Sequence, residues 1–264
     1  MSEEEQENLQ ASAHGGANVL QHGIFTSKDA AAQYTVQINP ENGKYFIYFP
    51  KADNMFAELL VAGYQKFMEN DFWGLSKSAE LGKELSIKYG SADSPMPIHF
   101  DVYSRGGLTK GSELESLSKT HQGQLPNLTV NAVGSAYSPV ELDDMLIDLQ
   151  GRNNMPPEVA KTKELYYQVH ADDGVAIQIG GAVATPGGTR YGDNSRLQEW
   201  LYMPNGIATV HSCYGEGNPH CDNRRYWENS TLKKTTETGA VVGIPQWMPA
   251  SYMREKLQEK KDEK

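Results

Sequence analysis

Ser104, Asp173 and His211 are the residues whose types and order could do chemistry. A serine hydroxyl is a weak nucleophile until an imidazole takes its proton, and a carboxylate behind the imidazole orients it and stabilises its charged form. The chemistry this predicts is acyl transfer. Ser104 stands in Pro97-Ile98-His99-Phe100-Asp101-Val102-Tyr103-Ser104-Arg105-Gly106-Gly107, where an apolar run is cut off by a serine, an arginine and two glycines. A helix-like pattern starts at Leu108, so the serine falls at a strand-to-helix turn. A nucleophilic serine on such a turn needs small flanking residues. Gly106 supplies one after it, whereas Val102 stands two positions before it and Tyr103 immediately before.

The acid lies in Asp172-Asp173-Gly174; Asp173 is taken as the member that orients the base, with Asp172 the alternative. His211 follows Ala208-Thr209-Val210, and His170 is the competing base, although it precedes the acid. The oxyanion of acyl transfer needs backbone donors. The amide of Arg105 is one candidate. The other comes from His22-Gly23-Ile24-Phe25, where Gly23 permits close approach and the amide of Ile24 or Phe25 can point at a substrate. His211, Cys213, His220 and Cys221 crowd one segment, but their spacing matches no common zinc pattern. Neither a metal nor an organic cofactor is expected. The two cysteines are compatible with a small disulfide ring or with two thiols.

The elements that must position these residues follow from periodicity. Strands are expected over 18–21, 44–49, 97–103, 128–133, 164–169 and 206–210, and helices over 30–37, 52–70, 76–89, 108–121 and 139–150. Ser138-Pro139 marks the entry of the last of these helices. Strands alternating with helices predict an α/β fold, a three-layer sandwich around a mostly parallel sheet. Ser104, Asp173 and His211 each end a strand, where ligand groups gather in such sheets. Residues 1–17 read as a disordered acidic and glycine-rich lead-in, 18–249 as one domain, and 250–264 as a charged helical or disordered tail.

Composition narrows the partners. A formal net charge of −10 over 264 residues argues against nucleic-acid binding, and no apolar run is long enough to span a bilayer. The N-terminus is acidic, unlike a secretion signal. The expected partner is a small-molecule or lipid ester, with aromatic residues of the loop 181–203 such as Tyr191 and Trp200 shaping an acyl pocket or simply packing.

Taken together, the chain resembles the α/β-hydrolase superfamily, and more narrowly the lipase-like domains near the C-termini of filamentous-haemagglutinin-type bacterial exoproteins. The resemblance rests on His22-Gly23-Ile24-Phe25-Thr26-Ser27 with Asp29-Ala30-Ala31 just after, Ala57-Glu58-Leu59-Leu60-Val61-Ala62-Gly63-Tyr64-Gln65-Lys66-Phe67, Tyr103-Ser104-Arg105-Gly106, Val130-Asn131-Ala132-Val133-Gly134, Asp172-Asp173-Gly174-Val175 and Val210-His211-Ser212. It implies an α/β-hydrolase-like domain with Ser104, Asp173 and His211 as its triad. It also implies a bacterial effector or toxin setting, secreted or at the cell surface within a larger exoprotein, with an immunity or carrier protein as partner. Such enzymes often carry histidine before the nucleophile, where this chain has Tyr103. Two functions follow: a serine esterase or lipase, or a catalytically degenerate binding module of a secreted adhesin.

Overall fold

The structure is a computed structural model that describes residues 9–11, 15–22, 32, 35, 44–47, 75–187, 211, 213–214 and 245–263. The helix expected over 52–70, the strand over 206–210, most of the helix over 30–37 and Tyr191 and Trp200 lie outside these residues. In chain order the described elements are strand β1 (Ala17–Gln21), β2 (Lys44–Ile47), helix α1 (Leu75–Gly90), β3 (Ile98–Tyr103), α2 (Arg105–Ser118), β4 (Leu128–Val133), α3 (Pro139–Gln150), α4 (Pro157–Thr162), β5 (Tyr166–Gln168), β6 (Met248–Pro249) and α5 (Ala250–Asp262).

The chain is an α/β protein. Its strands form one six-stranded sheet in the order β2-β1-β3-β4-β5-β6. All neighbours are parallel except β5 and β6, which pair antiparallel. The order explains where a site belongs. The connection leaving β1 leads to β2 on one side, and the connection leaving β3 leads to β4 on the other. The crevice between the carboxyl ends of β1 and β3 is therefore a topological switch point, the place where open α/β sheets bind ligands. His22 and Ser104 stand at its two lips.

Side-chain alternation sets the two faces of the sheet apart. Ile98, Phe100 and Val102 of β3 point to one face, with Leu128, Val130 and Ala132 of β4 and Ala17 and Val19 of β1, all buried. Against them pack Leu85 and Tyr89 of α1, Leu114 and Leu117 of α2, Leu142, Leu146 and Leu149 of α3, and Met253 of α5, in one apolar core. Each such side chain taken fully out of water stabilises the fold by about 1.5–3 kcal/mol. On the opposite face β3 offers His99 and Asp101, hydrogen-bonded to each other at 3.2 Å, with Thr129 of β4 on His99 at 2.8 Å. Thus among the described residues the helices cover one face, and the expected three layers are seen as the sheet and one helix layer.

Local signals account for most element ends. Ser138 caps α3 by accepting from the Glu141 amide, Pro139 occupies its first turn, and Gly151 ends it in the left-handed region at φ 67°. Within the segment read as a lead-in, Leu9 is buried and its amide donates to the Tyr89 hydroxyl. The tail is a helix, α5, docked through Ala250 and Met253 and through Arg254, which bridges Asp143 and Asp144 of α3. One expectation is corrected here: α2 begins at Arg105, directly after the serine, rather than at Leu108. Gly106 and Gly107 read as turn residues in sequence but form its first turn.

Candidate active site

Ser104 sits between β3 and α2 at φ 55° and ψ −124°, and among the described residues no other non-glycine residue has a positive φ. Such a backbone state costs on the order of 1–3 kcal/mol and persists only where the surroundings enforce it. Here they do. The Ser104 amide donates to Val133 O at 3.3 Å, and its carbonyl accepts from Ala136 at 2.9 Å and Gly107 at 3.0 Å. A Cβ at Gly106 would lie 2.0 Å from the Gln21 carbonyl, so the start of α2 rests directly on the end of β1. The serine-x-glycine spacing in the sequence is the trace of that contact.

The side chain of Ser104, 1% exposed, meets His211, whose Nε2 lies 2.8 Å from Oγ. Nδ1 of the same ring lies 3.0 Å and 2.9 Å from the two carboxylate oxygens of Asp173. Because a carboxylate only accepts, Nδ1 carries the proton and Nε2 presents its lone pair to the serine hydroxyl. The structure thus brings Ser104, His211 and Asp173 into one hydrogen-bonded line, and the carboxylate on His211 is that of Asp173 rather than Asp172.

Asp173 is fully enclosed. It follows β5 and opens a short π-helical turn, Val175–Ile179, whose Ala176 amide donates to Oδ1 at 3.0 Å. The Tyr214 hydroxyl donates to Oδ2 at 2.6 Å. Burial pushes the Asp173 carboxyl up, but the charge and hydrogen bond of His211, the Tyr214 hydroxyl and the Ala176 amide outweigh it and hold the group below its ordinary range. Gly134 makes room for this carboxylate. It follows β4 at φ 50°, and a Cβ there would lie 2.9 Å from Asp173 Oδ2 and 2.8 Å from the Tyr214 ring.

No family model, curated protein or solved structure matches this chain.

Two tyrosines complete the site, and sequence reasoning gave neither a role. Tyr103 donates its hydroxyl to the His211 carbonyl at 2.6 Å and stacks on the imidazole, with ring centroids 5.2 Å apart. The residue that looked like a crowded neighbour of the nucleophile instead holds the base. Its position in β3 signals nothing in sequence, because alternation says only which face it points to. Tyr214 is buried, packs edge-on against Tyr103, and accepts from the His170 amide at 3.0 Å. A lone tyrosine in a loop carries no periodic signal at all.

The remaining candidates fall as follows. His170 turns its Nε2 to the Cys213 carbonyl at 2.7 Å rather than to Ser104. Burial lowers its pKa against the opposing pull of that carbonyl and of Asp173 and Asp172, so the ring is neutral. Val102 is buried in the core between Gln21 and Ala132 of the flanking strands and faces the helix layer. Arg105 is the first residue of α2, so its N–H follows directly on the serine. Gly23, Ile24 and Phe25 lie outside the described residues; His22, buried at the end of β1, is the last described residue before them. Cys213 is disulfide-bonded, and Cys221 lies outside the described residues. Among the described residues no group of three His, Cys, Asp or Glu side chains could hold a metal ion, and no helix is long and apolar enough to cross a membrane.

Proposed function

We propose that this chain is a serine hydrolase of the esterase or lipase type, with an α/β-hydrolase-like fold and Ser104, His211 and Asp173 as its triad. The observation that carries the reading is the unbroken line from Asp173 through His211 to Ser104, ending on a serine held at φ 55°. A serine needed only for a turn has no reason to occupy a costly backbone state with its hydroxyl aimed at an imidazole.

In this reading Ser104 Oγ bonds to the carbonyl carbon of an ester while its proton passes to His211 Nε2. The oxyanion is stabilised by the Arg105 amide and, as the sequence suggests, by the amide of Ile24 or Phe25. As the bond to the leaving alcohol breaks, His211 returns the proton to that oxygen, leaving an acyl-enzyme. A water molecule then gives its proton to Nε2 and its oxygen to the acyl carbon, and Ser104 leaves with the proton restored. Asp173 stays ionised throughout. The secreted, effector-like setting and an immunity or carrier partner rest on the resemblance to exoprotein domains.

Labelling with a fluorophosphonate tests the reading, because the probe phosphonylates only an activated serine. Wild type should label and Ser104→Ala should not. A folded wild-type protein that takes no label at Ser104 would sink the proposal and favour a non-catalytic binding module.

A further inference from the structure

The Asp173 carboxylate has more donors than orienting a histidine requires, and their arrangement is directional. The His170 amide donates to the Tyr214 oxygen at 3.0 Å, and the Tyr214 hydroxyl donates onward to Asp173 Oδ2 at 2.6 Å. On the other side the Ser104 hydroxyl faces His211 Nε2 at 2.8 Å, and Nδ1 faces the same Oδ2 at 2.9 Å. The Ala176 amide takes Oδ1. A backbone amide, a phenol, an imidazole and a serine therefore form two chains of donors that end on one carboxylate. With its own oxygen already accepting from a backbone amide, Tyr214 has a fixed hydroxyl direction, and donating to the carboxylate is what remains for its proton.

The geometry points to Tyr214 as a positioning residue of the triad: its hydroxyl fixes the Asp173 carboxylate and takes up part of its negative charge, so that His211 meets a restrained acceptor. This rests on the serine-hydrolase reading for its catalytic meaning. Tyr214 lies three residues after the base, so one short segment carries both the imidazole and the clamp on its carboxylate. Among the described residues the contacts that seat that segment include Tyr103 on the His211 carbonyl, His170 Nε2 on the Cys213 carbonyl, the His170 amide on Tyr214 and Tyr214 on Asp173.

The consequence concerns protons. A carboxylate sharing its charge with a phenol is a weaker partner for an imidazolium, so the His211–Asp173 pair releases its proton at lower pH than it would without Tyr214. Among the described residues, the titratable groups around the pair are Tyr103 at the end of β3, Tyr214 itself, and His170 after β5, on which Asp172 also acts. His170 is held neutral by burial, and changing Tyr214 to phenylalanine removes the phenol while leaving the side chains of Tyr103, His170 and Asp172 in place.

The experiment measures the rate of fluorophosphonate labelling from pH 5 to 9 for wild type and Tyr214→Phe. The acid limb of the variant should move up by about one pH unit, so that labelling on that limb falls roughly tenfold while the alkaline plateau changes less. A merely structural role lowers the whole profile without moving its midpoint, and superimposable normalised profiles overturn the proposal. Site-specific fluorotyrosine at position 214 keeps the shape and makes the phenol a stronger donor, so its limb should move down; it serves if the phenylalanine variant does not fold. Titration of the His211 ring by NMR in each protein reads the same midpoint without turnover. If wild type shows no Ser104-dependent labelling, the hydrolase reading fails, while the NMR titration still decides whether Tyr214 governs the pair.

Discussion

The hydroxyl of Tyr103 donates to the backbone carbonyl of His211 at 2.6 Å, so the residue before the candidate nucleophile also anchors the candidate base. Two groups that must stay about 3 Å apart for proton transfer are thereby fixed to a common point. Tyr103→Phe removes the hydrogen bond and keeps the stacked ring. We expect it to fold normally and to slow fluorophosphonate labelling about 3- to 10-fold, in line with about 1 kcal/mol for a neutral hydrogen bond. Tyr103→Ala loses the ring as well and should cost considerably more. Equal labelling rates in wild type and Tyr103→Phe would remove the anchor from the argument.

The strained backbone of Ser104 makes a prediction about stability rather than rate. Glycine takes φ 55° without the penalty of a side chain, whereas alanine keeps it. Ser104→Gly and Ser104→Ala both lose the hydroxyl, so their difference isolates the backbone. The glycine variant should be the more stable by about 1 kcal/mol in urea unfolding, reversing the order found at ordinary positions. An alanine variant as stable as the glycine one would show the turn to be unstrained.

Beneath the site lies a buried ion pair that the proposed chemistry does not use. Lys110 and Glu113 of α2 are both fully enclosed, with Nζ 2.5 Å from Oε2; Nζ lies over the Phe100 ring, and Gln21 donates to Oε1 at 2.6 Å. Burial pushes the lysine down and the glutamate up, and each partner opposes the other's shift. Lys110→Met leaves a buried carboxylate unpaired and should cost about 3–5 kcal/mol in chemical denaturation. Adding Glu113→Gln, which still offers an oxygen to Gln21, should recover most of that loss. A double variant no better than the single one would mean that packing, not charge, sets the penalty.

Acid should destabilise the fold in two windows. The folded pKa of His170 lies below its ordinary 6.5 because the ring is buried. Its contribution is therefore complete above about pH 6.5 and is lost as pH falls toward the folded value, where the unfolded chain binds a proton that the native chain refuses. Asp173 acts lower: its folded pKa lies below the ordinary 3.8, so its contribution holds above that value and is lost beneath it. His170→Gln keeps a donor for the Cys213 carbonyl but does not titrate. Its unfolding free energy should fall less between pH 7 and pH 5 than that of wild type, by up to about 1–2 kcal/mol. Parallel losses in the two proteins would count against a neutral, buried His170.

Much of the α/β architecture was legible because it rests on local signals. Leu128 to Val133 reads as a strand from its β-prone run, and Ser138-Pro139 announces α3 by capping chemistry that acts within one turn. What was not legible depends on contacts distant in the chain. β6 is two residues long and exists only by pairing with Tyr166 and Tyr167. The short helix α4 buries nothing, so no apolar stripe betrays it. At the site, the strand ends offered Ser104, Asp173 and His211 as candidates by type and order. The choice between Asp172 and Asp173 was not readable, since adjacent carboxylates in a turn differ only in where the turn points them. Tyr214 stayed hidden for the same reason: its partner lies 41 residues earlier in the sequence.

The serine and its imidazole are separated by 107 residues, while the strand, turn and helix around the serine close on the next strand, β4. Loop-closure entropy makes distant contacts the late ones in folding. In a chain made from its N-terminus, Gln21, Val133 and Ala136, which seat the Ser104 turn, are all synthesised before His211. Until His211 docks, the hydroxyl is an ordinary alcohol, so under the proposed function a partly folded chain carries no activated nucleophile.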